Sequence, residues 1–79
     1  MTPFRIYKHK NCLDAAIIPV KAFYIKENDT WNLKVKWIIY KNDKYVRDLG
    51  VTQRLRIPNS EMKNWIYRDT VDHFVTVNY

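Results

Sequence analysis

Two sets of residues in this sequence have the types that catalysis uses. His9 and Cys12 lie three residues apart, and a thiol beside an imidazole is the elementary nucleophile–base pair. They follow a short alternating segment, Phe4 to Lys10, in which neighbouring side chains take opposite faces. That geometry turns His9 and Cys12 apart, so we expect a surface imidazole and a small buried thiol rather than a reacting pair. Asp69, Asp72 and His73 form the second set and could meet around the last turn, but caps and solvated charges account for them. Neither histidine is backed by a cysteine pair or a close carboxylate cluster, so no metal site is expected. A single glycine, Gly50, rules out a glycine-rich phosphate loop. No cofactor is expected, and the chain reads as non-enzymatic.

The chemistry that does stand out is cationic and aromatic. Lys21, Lys34 and Lys36 interleave with Phe23 and Tyr40, Arg54 and Arg56 make a second basic row, and Arg47 joins Ile38 and Tyr40. Single-stranded nucleic acid is bound by cations that follow its backbone and by aromatic faces on which bases stack. Fourteen lysines and arginines against eight acids leave a net charge of +6, which favours a polyanion partner. The same charge also lies in the range that keeps an ordinary small domain soluble. These eight residues are the candidate nucleic-acid site, and RNA is the first candidate ligand.

The elements that must position them are strands. From Thr30 to Lys41 the period is two: Trp31, Leu33, Val35, Trp37 and Ile39 take one face, and Asn32, Lys34, Lys36, Ile38 and Tyr40 take the other. Ile17 to Glu27 is a preceding strand, entered at an edge or bulge because Pro19 has no N–H to donate. Asn28-Asp29 tolerates the left-handed region and predicts a two-residue turn between them. That turn sets Val20, Ala22 and Tyr24 opposite Trp37, Val35 and Leu33, and sets Lys21, Phe23 and Ile25 opposite Lys36, Lys34 and Asn32. The second face therefore mixes lysines with apolar side chains and must be covered by the bend of its own sheet, by a partner chain or by a ligand.

Asn42-Asp43 predicts a second turn into Lys44 to Leu49. A two-residue turn buries Val46 and puts Asp48 opposite Trp37; a three-residue turn puts Leu49 there and exposes Val46; a bulge reconciles them. Gln53 to Ile57 alternates again, with Leu55 and Ile57 inward, Arg54 and Arg56 outward, and Pro58 as its end. Asn59 and Ser60 suit a helix N-cap, and Met62, Trp65 and Ile66 have helical spacing, so a short helix is expected over Ser60 to Tyr67. Val71 to Tyr79 reads as a last strand.

Seventy-nine residues make one domain, 1–79, and bury only about 60–65% of the unfolded surface. One cysteine allows no intrachain disulfide, so an aromatic core or a homo-oligomer must supply the missing stability. The open frame reads as complete and without a signal peptide. No apolar run approaches the roughly 20 residues of a membrane span. A cytoplasmic protein with no membrane partner is expected. The lean toward Ile, Lys, Asn and Tyr suggests an AT-rich genome, such as that of a phage.

Five to six short strands with one helical turn near the C-terminus predict a mainly β fold, a small, strongly bent antiparallel barrel. The element order resembles that of SH3-type and Sm-type barrels, with an OB-like barrel as the alternative. Leu55-Arg56-Ile57-Pro58-Asn59 resembles the second Sm motif in its aliphatic residue, arginine and asparagine, with Ile57-Pro58 in place of the motif's glycine. The resemblance implies an oligomeric RNA-binding protein and transfers no individual residue. The alternative class is an oligomeric structural or adaptor protein acting through protein–protein contacts.

Overall fold

A computed structural model describes residues 1–70. Five strands form one antiparallel sheet: β1 (Arg5–His9), β2 (Ala15–Ile25), β3 (Thr30–Lys41), β4 (Lys44–Pro58) and β5 (Trp65–Thr70). Their spatial order is β4-β3-β2-β1-β5. β4 and β5 are the two edges and do not pair with each other among the described residues, so the sheet is not closed there. The expected last strand, Val71 to Tyr79, with Asp72 and His73, lies outside the described residues. Among those described, no helix is long and apolar enough to cross a membrane.

The period-two pattern of β3 produces two cores, one on each face of the same sheet. Leu33 and Val35 pack with Tyr7, Ile17 and Ile57, and Trp31, Trp37, Met62 and Trp65 close the edges of that cluster. On the opposite face Ile38 and Tyr40 pack with Ile6, Ala16 and Ile18, against Tyr45. Ile17 and Ile18 are adjacent in sequence and both fully buried, one in each core. Ile39, expected beside the tryptophans, is only partly buried and joins neither cluster.

The β2–β3 register differs from the expected one by two residues. The turn has four residues, 26–29, with Ile25 opposite Thr30. It is held by the Asn28 N–H donating to the Ile25 carbonyl and the Asp29 N–H to the Lys26 carbonyl, both at 3.3 Å, with Asp29 in the left-handed region at φ 50°. A shift of two leaves every side chain on its expected face, because faces repeat every second residue. A bulge at Val20, beside Pro19, then absorbs one more residue. Ala22, Tyr24 and Ile17 thus meet Leu33, Trp31 and Trp37.

The second turn has two residues. Asn42 and Asp43 have φ 51° and 59°, the pair of positive angles whose twist suits a hairpin, and Lys41 faces Lys44. β4 then departs from both simple registers. Irregularities at Val46 and at Leu49-Gly50 expose Val46, place Asp48 opposite Ile38, and bring Val51 rather than Asp48 or Leu49 opposite Trp37. Gly50 sits at φ 72°, the backbone angle that the irregularity requires.

The expected helix over Ser60 to Tyr67 is replaced by a 3-10 segment, Asn59–Asn64, that runs directly into β5. No side chain caps it. The Asn59 carboxamide oxygen instead accepts the Trp31 indole N–H at 3.3 Å. Trp65 and Ile66 are strand residues opposite His9 and Lys8. Trp65 still docks on the core, but as part of the sheet.

Candidate nucleic-acid interface

The second face of β2, β3 and β4 carries a graded surface. Its inner part is the apolar cluster around Ile38 and Tyr40. Further along, successive cross-strand rows read Ile18–Lys36–Thr52, then Lys21–Lys34–Arg54, then Phe23–Asn32–Arg56, then Ile25–Thr30–Pro58. The alternation of each strand puts these residues on one side, and the register aligns them.

A groove of about 540 Å³ runs over the two central rows, lined by Lys21, Phe23, Lys34, Arg54 and Arg56 with Asn32, Leu33 and Leu55. A second groove of about 360 Å³ continues toward the 26–29 turn, bounded by Ile25, Asn28, Thr30 and Pro58, and shares Asn32 and Arg56 with the first. Phe23 is 62% exposed. Lys21, Lys34, Arg54 and Arg56 are exposed, and none has an acidic partner among the described residues. Like charges directly opposite one another on neighbouring strands destabilise a sheet. A row of three is therefore an unfavourable arrangement for the isolated fold and a favourable one for an anion laid across it.

Three of the eight candidate residues do not join this groove as expected. Lys36 lies on the correct face, but its ammonium is 2.5 Å from a carboxylate oxygen of Asp48, with only 11% of its side chain exposed. The other Asp48 oxygen accepts the Gly50 N–H at 2.7 Å. Burial pushes the Asp48 carboxyl up, yet the hydrogen bonds from Lys36 and Gly50 and the lysine's charge outweigh it, and the net shift is below the usual carboxylate range. Tyr40 is 2% exposed and part of the core, so its ring presents no face to a base. Burial, then the negative charges of Asp69 and Asp43, push its phenol up, against the opposing effect of Arg68. Arg47 stands opposite Ile39, on the side away from Ile38 and the lysines.

Sequence reasoning did not single out Asn32, which lines both grooves, or Asp48, which neutralises Lys36. Asn32 was discoverable from β3's alternation, which places it between the candidate lysines and the turn. Asp48 was not, because its position beside Lys36 depends on the irregularities of β4.

His9 and Cys12, the nearest approach to a nucleophile–base pair, each make contacts of their own. His9 Nδ1 accepts the Asn11 N–H at 3.1 Å, and its ring meets Trp65 edge-on at 5.0 Å. The Cys12 N–H donates to the His9 carbonyl at 2.9 Å, closing a turn, and the residue is partly buried. Among the described residues, no three His, Cys, Asp or Glu side chains gather where they could hold a metal ion.

Comparison with protein-family models, with curated proteins and with solved structures finds no match to this chain. The groove's own chemistry is therefore the basis for a functional reading.

Proposed function

We propose that the protein is a non-enzymatic module that binds single-stranded nucleic acid, RNA in the first instance, along the β2–β3–β4 groove. The observation that carries this reading is the cross-strand row Lys21–Lys34–Arg54 beside the exposed ring of Phe23 and the guanidinium of Arg56. Cations spaced across a sheet follow a phosphate backbone, and an exposed ring supplies a stacking platform that tolerates any base. The reading includes the small-barrel class, SH3-, Sm- or OB-like. In its favour are two buried clusters on opposite faces of one sheet and irregular registers in three strand pairings, the means by which sheets bend strongly.

The test is fluorescence anisotropy of a labelled single-stranded RNA at about 50 and 200 mM salt, a range over which 6–10 phosphate contacts cost about 10³–10⁵ in affinity. Saturable binding with a steep salt dependence is expected. Absence of binding at the lower salt overturns the reading.

A second reading, self-association into a structural or adaptor oligomer, has one observation in its favour. Among the described residues β4 and β5 each pair on one side only, and such edges are templates for another strand. Light scattering decides it: a monomer at every concentration removes the reading. An oligomer that Phe23→Asp dissolves places the contact on the groove face instead of an edge.

A further inference from the structure

We infer that the groove takes a short stretch of single strand, about three or four nucleotides, at the lower end of what single-strand-binding folds cover. The stretch lies across β2, β3 and β4, with its phosphates over one row of side chains and its bases over the next. The inference rests on the nucleic-acid reading above and gives that site a size and a direction.

Lys21, Lys34 and Arg54 stand in one cross-strand row, and Phe23, Asn32 and Arg56 in the next. Along each strand the two rows are two residues apart, about 6.4–6.8 Å. The first row is wholly cationic. The second has the 62% exposed ring of Phe23 at one end, a guanidinium at the other and an uncharged carboxamide between them. Cations pair with phosphates, whereas aromatic rings and guanidinium planes are surfaces on which unstacked bases lie. The two rows thus differ in the part of a nucleotide that each suits. Within them β2 and β3 carry one cation each and β4 carries two. A backbone that follows β3 passes one cation of its own strand, and a backbone that crosses the strands passes three.

The length of the row sets the footprint. Neighbouring strands lie about 4.7–4.9 Å apart, so Lys21 and Arg54 are separated by about 10 Å of sheet. Even in a stacked helical strand the phosphates advance about 3.4 Å per nucleotide, so the row meets at most about four.

The surroundings bound it on every side. The adjoining row toward the core is Ile18–Lys36–Thr52, where Lys36 is already paired with the Asp48 carboxylate, a group that repels phosphate. The adjoining row toward the 26–29 turn is Ile25–Thr30–Pro58 and carries no charge. Laterally, β4 is an edge strand, and beyond Pro19 β2 pairs with β3 alone among the described residues. The cationic row therefore runs from one free edge to the other and stops at both.

The experiment uses unlabelled oligo(U) RNAs of two, three, four, six and ten nucleotides, which compete with a labelled ten-nucleotide oligo(U) and are read by anisotropy. Affinity is expected to rise steeply up to four nucleotides. From four to ten the gain is expected to stay under about tenfold, the statistical gain of extra registers for a site this short. Lys21→Ala and Arg54→Ala change exposed residues at the two ends of the row, and each relieves a like-charge contact, so the fold is kept. Each is expected to lower the salt slope for the four-nucleotide RNA by ~0.7–0.9, because one short strand reaches both. Phe23→Leu is expected to weaken that RNA about fivefold or more with no change of slope, as loss of a stacked base does. A gain above tenfold from four to ten nucleotides overturns the short footprint and leaves the interface standing. A slope that responds to only one end of the row overturns the crossing direction, and unchanged affinity in Phe23→Leu overturns the base row. No binding of the labelled ten-nucleotide RNA overturns this inference and the nucleic-acid reading together.

Discussion

Lys21 on β2 and Lys34 on β3 are directly opposed cations, and Arg54 on β4 extends the pair into a row of three. Fold stability alone does not call for this arrangement. Lys36, one row away, shows the alternative, since there the sheet supplies Asp48 as a counter-charge. The contrast between a neutralised lysine and a row with no acidic partner among the described residues, on the same face, supports the proposed reading of the groove as a place for an external anion.

Removing the row's central charge should therefore separate stability from binding. Lys34→Glu places an acid between two cations, and cross-strand pairs of opposite charge contribute about 0.2–1 kcal/mol each. The variant is expected to unfold at a higher denaturant concentration than wild type while losing its affinity for single-stranded RNA. Urea melts and anisotropy on the same sample check both halves.

Salt dependence should resolve the individual cations. The double variant Lys34→Ala, Arg54→Ala is expected to lower the slope of log affinity against log salt by about 1.4–1.8, at ~0.7–0.9 for each phosphate contact. Lys36→Ala should change it by less than one contact, because Asp48 already neutralises that charge. A Lys36 effect equal to that of Lys34 would mean that the ion pair opens on binding.

Gly50 provides a backbone test. Its φ is +72°, and a Cβ there would meet nothing within 4 Å. Gly50→Ala therefore introduces left-handed strain without a clash, about 1–2 kcal/mol of lost stability. Gly50→Asn should lose less, since asparagine tolerates that region. Equilibrium unfolding of the two variants gives the comparison.

The acid limb of stability should depend on Asp48. Its folded-state pKa lies below the ordinary carboxylate value, so the group stabilises the fold above its unfolded pKa of about 3.9. That contribution is lost as pH falls through the lower, folded value. Thermal melts from pH 6 down to pH 2 should show a decline beginning near pH 4. Asp48→Asn should be less stable at neutral pH and show a shallower decline.

Much of the fold was legible because alternation is a strong signal where one face of a strand is buried. The two sides of β3, the inward Leu55 and Ile57 and the outward Arg54 and Arg56 all follow from it, while the turn at Asn42-Asp43 follows from two residues that tolerate positive φ. Alternation fixes a face but leaves the partner open by multiples of two, so the β2–β3 register could slip with no residue changing sides. The helix expected over Ser60 to Tyr67 came from spacing across only five residues. Over so short a window Met62, Trp65 and Ile66 fit a helix, while Trp65 and Tyr67 equally fit one face of a strand. Of the site, the cations and Phe23 could be read from type and spacing. The burial of Tyr40 could not, because the second core on its face draws on Ile6, Ala16 and Ile18 from β1 and β2, far away in sequence.

The strand order also has a consequence for how the chain folds. Every groove residue, from Lys21 to Arg56, lies on the uninterrupted meander β2–β3–β4, whose pairings join near neighbours in sequence. The β1–β5 pairing instead joins Arg5 to Thr70 and must close nearly the whole described chain into a loop. Contacts between near neighbours have less chain entropy to overcome and form sooner. The groove is therefore expected to lie in the part of the molecule that forms first. On the proposed nucleic-acid reading, an RNA present during folding would meet the cationic row before the first and last strands meet each other, and would hold the meander together while they do.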